Sequence, residues 1–385
     1  MIIMNFELEE KHKLVKRSVR SFAEKIIAPL APLMDREEEF YPEIIKEISM
    51  MNLWGITIPE KYGGAELDSI SYLISIEEIS RICASTALTV TVHNALGAGP
   101  IYKWGNEEQK ERFLNDLASG KKIAGFSWTE PNAGSDARSI ECMALEDGKD
   151  FVLNGSKIFV TNGAIASVFL VGTRYQTIDR QKGFTLVIVE KDMVGCEIGP
   201  KENKMGMRGN PTRSLYFNNV RIPKENVLGK LQNGFKYAMQ ILDFGRIGIA
   251  AQALGIAQAA YEDSVKYSKG RIQFKKPLSQ FQGISFKLAE MATKIDAARL
   301  MVYRAGYMSE RSKSFSKEAA MCKLFASKVA RQVSQEALQI HGGYGYMKDL
   351  PIERYYRDAK ACEIYEGTSE IMKLIIANQI LRGNM

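Results

Sequence analysis

Apolar positions recur three and four residues apart through most of the first 120 residues. In "SVRSFAEKIIAPLAPLMDREEEF" and "PEIIKEISMMNLW" that spacing predicts amphipathic helices. "TIPEKYGGAELDS" breaks the period with a proline and a glycine pair and reads as a loop. "SISYLISIEEISRICASTALTVTVHNALG" resumes as one long, mostly apolar helix. "NEEQKERFLNDLASG" is a further amphipathic helix, with Asn106 placed to cap it and Gly120 to end it. From about 121 to 230 the period shortens. "DFVLNGSKIFVTNG", "SVFLVGTRY", "GFTLVIVEKD" and "RSLYFNNVRIP" are β-branched and aromatic runs between Gly, Asn and Asp, which predicts an antiparallel β domain. Helical spacing returns near Asn233–Ser268, Gly283–Ser312, Lys317–Ile340 and Thr368–Leu381, enough for a four-helix bundle. The expected architecture is multi-domain α+β. A helical N-terminal domain spans 1–120, a β domain 121–230 and a C-terminal bundle 231–385.

Composition changes this picture little. The 385 residues are 45% hydrophobic and 25% charged, ordinary for a globular protein with a large core. No run of about 18 apolar residues predicts a membrane span. The N-terminal stretch lacks a signal-peptide apolar segment, so a cytoplasmic protein is expected. Five dispersed cysteines without CxxC spacing argue against a disulfide framework and a zinc site. His12, His93 and His341 lie far apart, so no metal centre is expected. The net charge of +7 comes from bases interspersed with acids, which does not point to nucleic acid.

Several chemistries lose their usual support. No G-x-G-x-x-G follows a strand, and neither a phosphate-binding P-loop nor a G-x-S-x-G elbow is present. Flavin chemistry needs none of these and stays open. Near the C-terminus, "EIYEGTSEIM" puts Glu366 on a glycine-bearing turn just before a hydrophobic helix. Taken alone, this is a solvated loop carboxylate followed by a Thr368 cap, or a base held at the edge of a pocket.

Seven stretches fall into one pattern, in order along the chain. They are "FSWTEPNAGSD" (126–136), "NGSKIFVTNG" (154–163), "MGMRGNPTRSLYFNNVRIPKENVLG" (205–229), "LDFGRIGIAAQALGIAQAAYE" (242–262), "RIQFKKPLSQFQ" (271–282), "QIHGGYGY" (339–346) and "IYEGTSEIM" (364–372). Together they resemble the FAD-dependent acyl-CoA dehydrogenase family, in particular its short-chain, butyryl-type or alicyclic branch. The resemblance implies a helical, β, four-helix-bundle order and a homotetramer. The implied reaction removes a proton from the carbon α to a thioester and a hydride from the β carbon, leaving a 2-enoyl-CoA. Electrons then pass to electron-transferring flavoprotein.

By that resemblance Glu366 is the α-proton base, since a carboxylate raised in pKa by an apolar pocket is a better base. Its N–H, with a ribityl hydroxyl of FAD, binds the thioester oxygen. Some relatives carry the base at the position of Gly245, where glycine cannot serve. Phe126, Trp128, Thr129, Gly134 and Ser135 are implied to line the flavin, with Ser135 also reaching the CoA arm; the alternative is an Asn-Ala-Gly turn capped by Ser135 and Asp136. Phe159 and Thr161 are implied to lie against the flavin's other edges. Many relatives have tryptophan at Phe159. Arg271, Phe274 and Gln282 match a segment lent to FAD by a neighbouring subunit, with Lys275 where glycine is common; a surface basic cluster is the alternative. Gln339, Gly342 and Gly343 match a second borrowed contact, or a plain helix end. Thr368 and Glu370 at the start of the last helix are implied to meet FAD, the helix N–H groups suiting its pyrophosphate. Thr91, Leu242, Asp243, Arg246, Tyr365 and Gly367 are implied to meet the acyl-CoA; Asp243 and Arg246 also fit an intrahelical ion pair. His93 and His341 carry no assigned role.

Two other functions fit the same residues. An acyl-CoA oxidase would hand electrons to oxygen, though such oxidases are usually longer. A non-catalytic acyl-CoA-binding or scaffold protein would lack Glu366 and the FAD set, which are intact here. Ala87 lacks the arginine that meets a distal carboxylate in glutaryl-CoA relatives, and Thr91 with Glu366 fits ordinary 1,2-elimination. The expected substrate is therefore a short straight or cyclohexanecarboxyl-like acyl chain.

Overall fold

A computed structural model describes residues 7–312 and 314–381. The N-terminal helices are α1 (Glu10–Phe22), α2 (Ala31–Glu37), α3 (Glu43–Met50), α4 (Ser69–Ile82), α5 (Ala84–Thr91), α6 (Gly99–Trp104) and α7 (Glu107–Ala118). Asn106 caps α7 as expected, accepting the Gln109 N–H at 2.8 Å while Gln109 reaches back to the Asn106 N–H. Gly120 follows the helix with φ +75°. The long apolar helix expected over 69–97 is instead broken. Cys83 is extended (φ −147°, ψ 103°) and separates α4 from α5, and Val92–Ala98 continues as a π-helical segment. An unbroken apolar run gives no mark of such a break.

The middle region forms one sheet from β1 (Ala124–Ser127), β2 (Met143–Asp147), β3 (Asp150–Val160), β4 (Val168–Gln176), β5 (Lys182–Glu190), β6 (Cys196–Lys201) and β7 (Arg213–Pro223). The order is β1-β4-β2-β3-β7-β6, with β5 also on β4. The sheet is mixed rather than wholly antiparallel, because β4 runs parallel to both β1 and β2. Burial on both faces explains why β4 and β5 are almost continuously apolar. Val168 and Leu170 belong to the main core, whereas Phe169 and Val171 belong to a second core under the sheet.

The C-terminal helices are α8 (Gly234–Gly270), α9 (Gln282–Arg311), α10 (Ser316–His341), α11 (Ile352–Ala361) and α12 (Ser369–Leu381), with the short strands β8 (Ile272–Gln273) and β9 (Lys276–Pro277) after α8. α8, α9 and α10 pack on one another, α11 packs on α8 and α10, and α12 packs on α10; α11 is a helix that the sequence pattern did not separate. Glycines let α4 close onto α8. A Cβ at Gly255 would stand 2.3 Å from the Glu77 carbonyl oxygen, and one at Gly248 2.5 Å from the Tyr72 hydroxyl. Among the described residues no helix is long and apolar enough to cross a membrane.

One buried ion pair fixes the loop after β1. Lys157 on β3 is fully buried, and its Nζ lies 2.7 Å from Glu130 Oε1 and donates to the Trp128 carbonyl at 3.0 Å. The Glu130 carboxylate also accepts the N–H groups of Glu141 and Cys142. Lys157→Met leaves that carboxylate buried without its cation, a loss of about 3–5 kcal/mol. A lower guanidinium midpoint is the expected reading, and an unchanged midpoint would show that the pair contributes nothing to stability.

Candidate active site

Glu366 lies on the turn between α11 and α12. Tyr365 N–H donates to the Ala361 carbonyl at 3.1 Å and Ser369 N–H to the Glu363 carbonyl at 3.0 Å, which closes the turn. Glu366 has φ +51° and Gly367 φ +99°. The left-handed conformation costs a non-glycine residue roughly 1–2 kcal/mol, so something must hold it. Two cations do. Arg246 Nε donates to the Glu366 carbonyl at 3.4 Å, and Lys323 Nζ to the Gly367 carbonyl at 2.7 Å. The Glu366 carboxylate is directed inward, and both of its oxygens are buried with no hydrogen-bond partner among the described residues.

The space it occupies is provided by α8. A Cβ at Gly245 would fall 1.9 Å from Glu366 Oε2 and 2.8 Å from Leu96 Cδ2. Burial pushes the Glu366 pKa up to about 7, against the charges of Lys323 and then Arg246. A partnerless carboxyl poised near neutrality suits proton abstraction from a weak carbon acid. Tyr72 and Thr91 lie close by across Gly248, and their hydroxyls are also buried without partners. The Tyr72 ring lines a cavity of about 310 Å³, walled also by Ala95, Trp104, Ile241, Phe244 and Ile247.

Other expected substrate residues are partly committed within the chain. Arg246 Nη1 pairs with Asp243 Oδ1 at 2.6 Å, and Ser316 donates to the second Asp243 oxygen, so this carboxylate is already engaged. The pair is thus intrahelical, yet through the Arg246 bond to Glu366 it also belongs to the site. Tyr365 OH donates to Gln252 Oε1 at 2.6 Å. Leu242 is half-buried on α8. Thr368 caps α12, accepting the Ile371 N–H at 3.3 Å, and Glu370 stands exposed in the first turn.

The β-domain candidates form a second group. Ile158 N–H donates to the Thr129 carbonyl at 3.0 Å, which sets Thr129 beside Phe159. Phe159 is 63% exposed and left-handed (φ +56°), a large apolar ring left without cover. Phe126 and Thr161 are half-buried, and Thr161 packs near Gly125. Gly134 and Ser135 are exposed on the loop after Thr129. Trp128 faces away from this exposed edge. Its indole is buried against Gly172 and donates from Nε1 to the Ala137 carbonyl at 2.9 Å, while its own carbonyl accepts from Lys157.

A third group lies at the far end of α8. Arg271, Gly342 and Gly343 line a cavity of about 380 Å³ with Tyr267, His341 and Tyr344. Gln339 lines an adjacent cavity with Gly283, and exposed Gln282 opens α9 beside it. Phe274 is 89% exposed, and both Phe274 (φ +51°) and Lys275 (φ +65°) adopt the conformation that favours glycine. Along α8, Arg271 is roughly 39 Å from Gly245 at 1.5 Å per residue. The structure therefore does not bring this group to Glu366 within one chain.

Sequence reasoning missed Lys323, Tyr72, Gln252, Ser316 and the Glu130–Lys157 pair. Lys323 had a signal: it is the one charged residue in the otherwise buried stretch "AAMCKLFAS". The others carry none that a single sequence reveals.

The helical, β, helical order agrees with the plan that the resemblance to acyl-CoA dehydrogenases implies. The described domains for the N-terminal, middle and C-terminal parts of acyl-CoA dehydrogenase match residues 9–121, 125–220 and 232–381. An acyl-CoA dehydrogenase of Bacillus subtilis (strain 168) is 47% identical over 97% of this chain and 99% of its own length. The structure of butyryl-CoA dehydrogenase from Megasphaera elsdenii superposes with a TM-score of 0.95 at 42% identity, covering 98% of this chain and 100% of that one. A chain solved in work on the electron transferring flavoprotein of Acidaminococcus fermentans gives 0.96 at 44% identity, covering 98% and 100%. The chain belongs to the acyl-CoA dehydrogenase family and is an FAD-dependent oxidoreductase. The residues present fit FAD: an uncovered ring at Phe159, an unpartnered buried Ser127 hydroxyl beside Thr129, and a guanidinium at a glycine-lined cavity for phosphate.

Proposed function

We propose that the protein removes hydrogen across the Cα–Cβ bond of a short straight-chain or alicyclic acyl-CoA, with Glu366 taking the α proton. The observation that carries this reading is the inward carboxylate with both oxygens unpaired, seated in the vacancy of Gly245. Glu366 N–H donates to no other group among the described residues, and serves the thioester oxygen as it gains charge. Arg246 and Lys323 hold the two carbonyls of the turn, so the base does not have to order itself during reaction. FAD, when bound, supplies the acceptor for the β hydride. Thr129, Phe126, Phe159 and Thr161 hold its ring and exclude water, Gly134 and Ser135 give the loop its backbone, and Thr368 and Glu370 sit at the α12 end. Arg271, Phe274, Gln282, Gln339, Gly342 and Gly343 hold the distal half from a neighbouring chain. The roughly 39 Å between Gly245 and Arg271 supports that borrowing, and with it the homotetramer.

The cavity of about 310 Å³ is not lined by Glu366 itself, but Tyr72 in its wall lies beside Gly248, one turn from Gly245. Its volume of about 310 Å³ is at the small end for ligand sites, which supports a small acyl group. Buried Ala87 offers no charge to a second carboxylate. Thr91 and Leu242 complete the acyl and CoA walls. Electron-transferring flavoprotein as acceptor, a cytoplasmic location and domain divisions near 120 and 230 belong to the same reading, and the five free cysteines are consistent with a reducing compartment. A panel of acyl-CoA esters scored by anaerobic flavin bleaching tests the substrate: no response to butyryl- or cyclohexanecarboxyl-CoA removes it. Reoxidation of reduced enzyme by air as fast as by the flavoprotein would instead indicate an oxidase.

The pH dependence follows from the base. Glu366 works ionised, and its ionised fraction increases with pH through about 7. Hence kcat/KM should rise about tenfold per pH unit on the acid side and bend over near 7. An inflection near 4.5, the ordinary glutamate range, would show that the carboxyl is solvated in the working enzyme.

A further inference from the structure

Lys323 lies mid-way along α10, fully buried among Ala319, Ala320, Cys322 and Ala326. A buried ammonium is costly unless it is paired, yet among the described residues its Nζ makes one hydrogen bond, to the carbonyl of Gly367. That carbonyl lies just before the N-terminus of α12, where the helix dipole disfavours a cation. Stabilising α12 therefore does not explain the lysine. The residue preceding Gly367 does: it is Glu366.

We propose that Lys323 is a positioning residue of the reaction, its ammonium pinning the Gly367 carbonyl so that the Glu366 side chain stays aimed into the space beside Gly245, with its positive charge favouring the carboxylate form. This rests on the reading of Glu366 as base. Lys323 and Arg246 grip successive carbonyls of a left-handed turn from two different helices, so the turn has no freedom to swing the carboxylate out. The groups acting on Lys323 are Cys362, Glu366 and Glu363 on the segment after α11, and Arg246 on α8. Of the charges that oppose the burial of Glu366, that of Lys323 is the larger. Burial draws Lys323 itself down to about 8.

Lys323→Met, Lys323→Gln and Lys323→Arg, each as the FAD-loaded enzyme, test this through kcat and KM against pH. The Met variant should move its acid inflection up by about one unit and drop kcat by about 10²-fold with KM little changed. The Gln variant keeps a donor without the charge, so it should show the shifted inflection with a smaller loss of kcat. The Arg variant should recover the wild-type profile. Infrared difference titration of the Glu366 carboxyl, with Glu366→Gln as the blank, should show the same shift without turnover. A Met or Gln profile that superimposes on the wild type overturns the proposal. If neither neutral variant accumulates folded with flavin, Lys323→Arg decides: a wild-type acid inflection and kcat support the proposal, and an inflection moved up with kcat lowered overturns it. Retained turnover in Glu366→Gln would instead sink the base reading itself.

Discussion

Glu366→Gln is expected to bind FAD and acyl-CoA as the parent enzyme does, and to lose turnover by about 10⁴-fold. The amide has the same shape, keeps the N–H of residue 366 and leaves the Arg246 and Lys323 contacts to the turn carbonyls in place. It lacks only a site for the α proton. No neighbour can take over. Gly245 presents no side chain, and burial pushes the Tyr72 hydroxyl far above its ordinary range, where it is neutral at working pH. Stopped-flow bleaching of the flavin under anaerobic conditions reads the effect directly. Bleaching at more than about a hundredth of the parent rate would mean that another group accepts the proton.

Gly245→Ala should be nearly as damaging without touching the base. The new methyl group would stand 1.9 Å from Oε2, so the carboxylate has to move by an ångström or more. Leu96 Cδ2 stands 2.8 Å from the same methyl position, so the new group is crowded by both side chains. A shift of that size at the reacting atoms costs about 10²-fold in kcat. The helix itself should not suffer, since alanine is preferred over glycine mid-helix by roughly 1 kcal/mol. Unchanged or raised thermal stability with kcat down about 10²-fold is the expected pair of results. Wild-type kcat in the alanine variant would show that Glu366 does not use this space when substrate is bound.

Much of the molecule was readable from its residues because helices and strands announce themselves by local period. The Asn106 cap and the ends of α8, α9 and α10 fall within a residue or two of the expected places. What the chain does not announce is what depends on distant partners. The break at Cys83 sits inside a mostly apolar run with no proline or glycine to mark it, and α11 is hidden among charges. The parallel pairing of β4 with β1 and β2 is set by packing across the sheet, not by any local pattern. At the site, a carboxylate on a glycine turn could be read, but not which way it points. That is decided by the missing side chain at Gly245, far away in sequence. Trp128 shows the reverse: it sits within a flavin-lining motif, yet Gly172 offers its ring a seat in the core.

The distance along α8 from Gly245 to Arg271 has a genetic consequence. If each cofactor is held by one chain's turn and another chain's tip, the working unit straddles two gene products. A subunit crippled at Glu366 and one crippled at Arg271 could then share a mixed assembly in which one composite centre inherits both healthy halves. Two alleles that are each silent when alone would partly rescue one another.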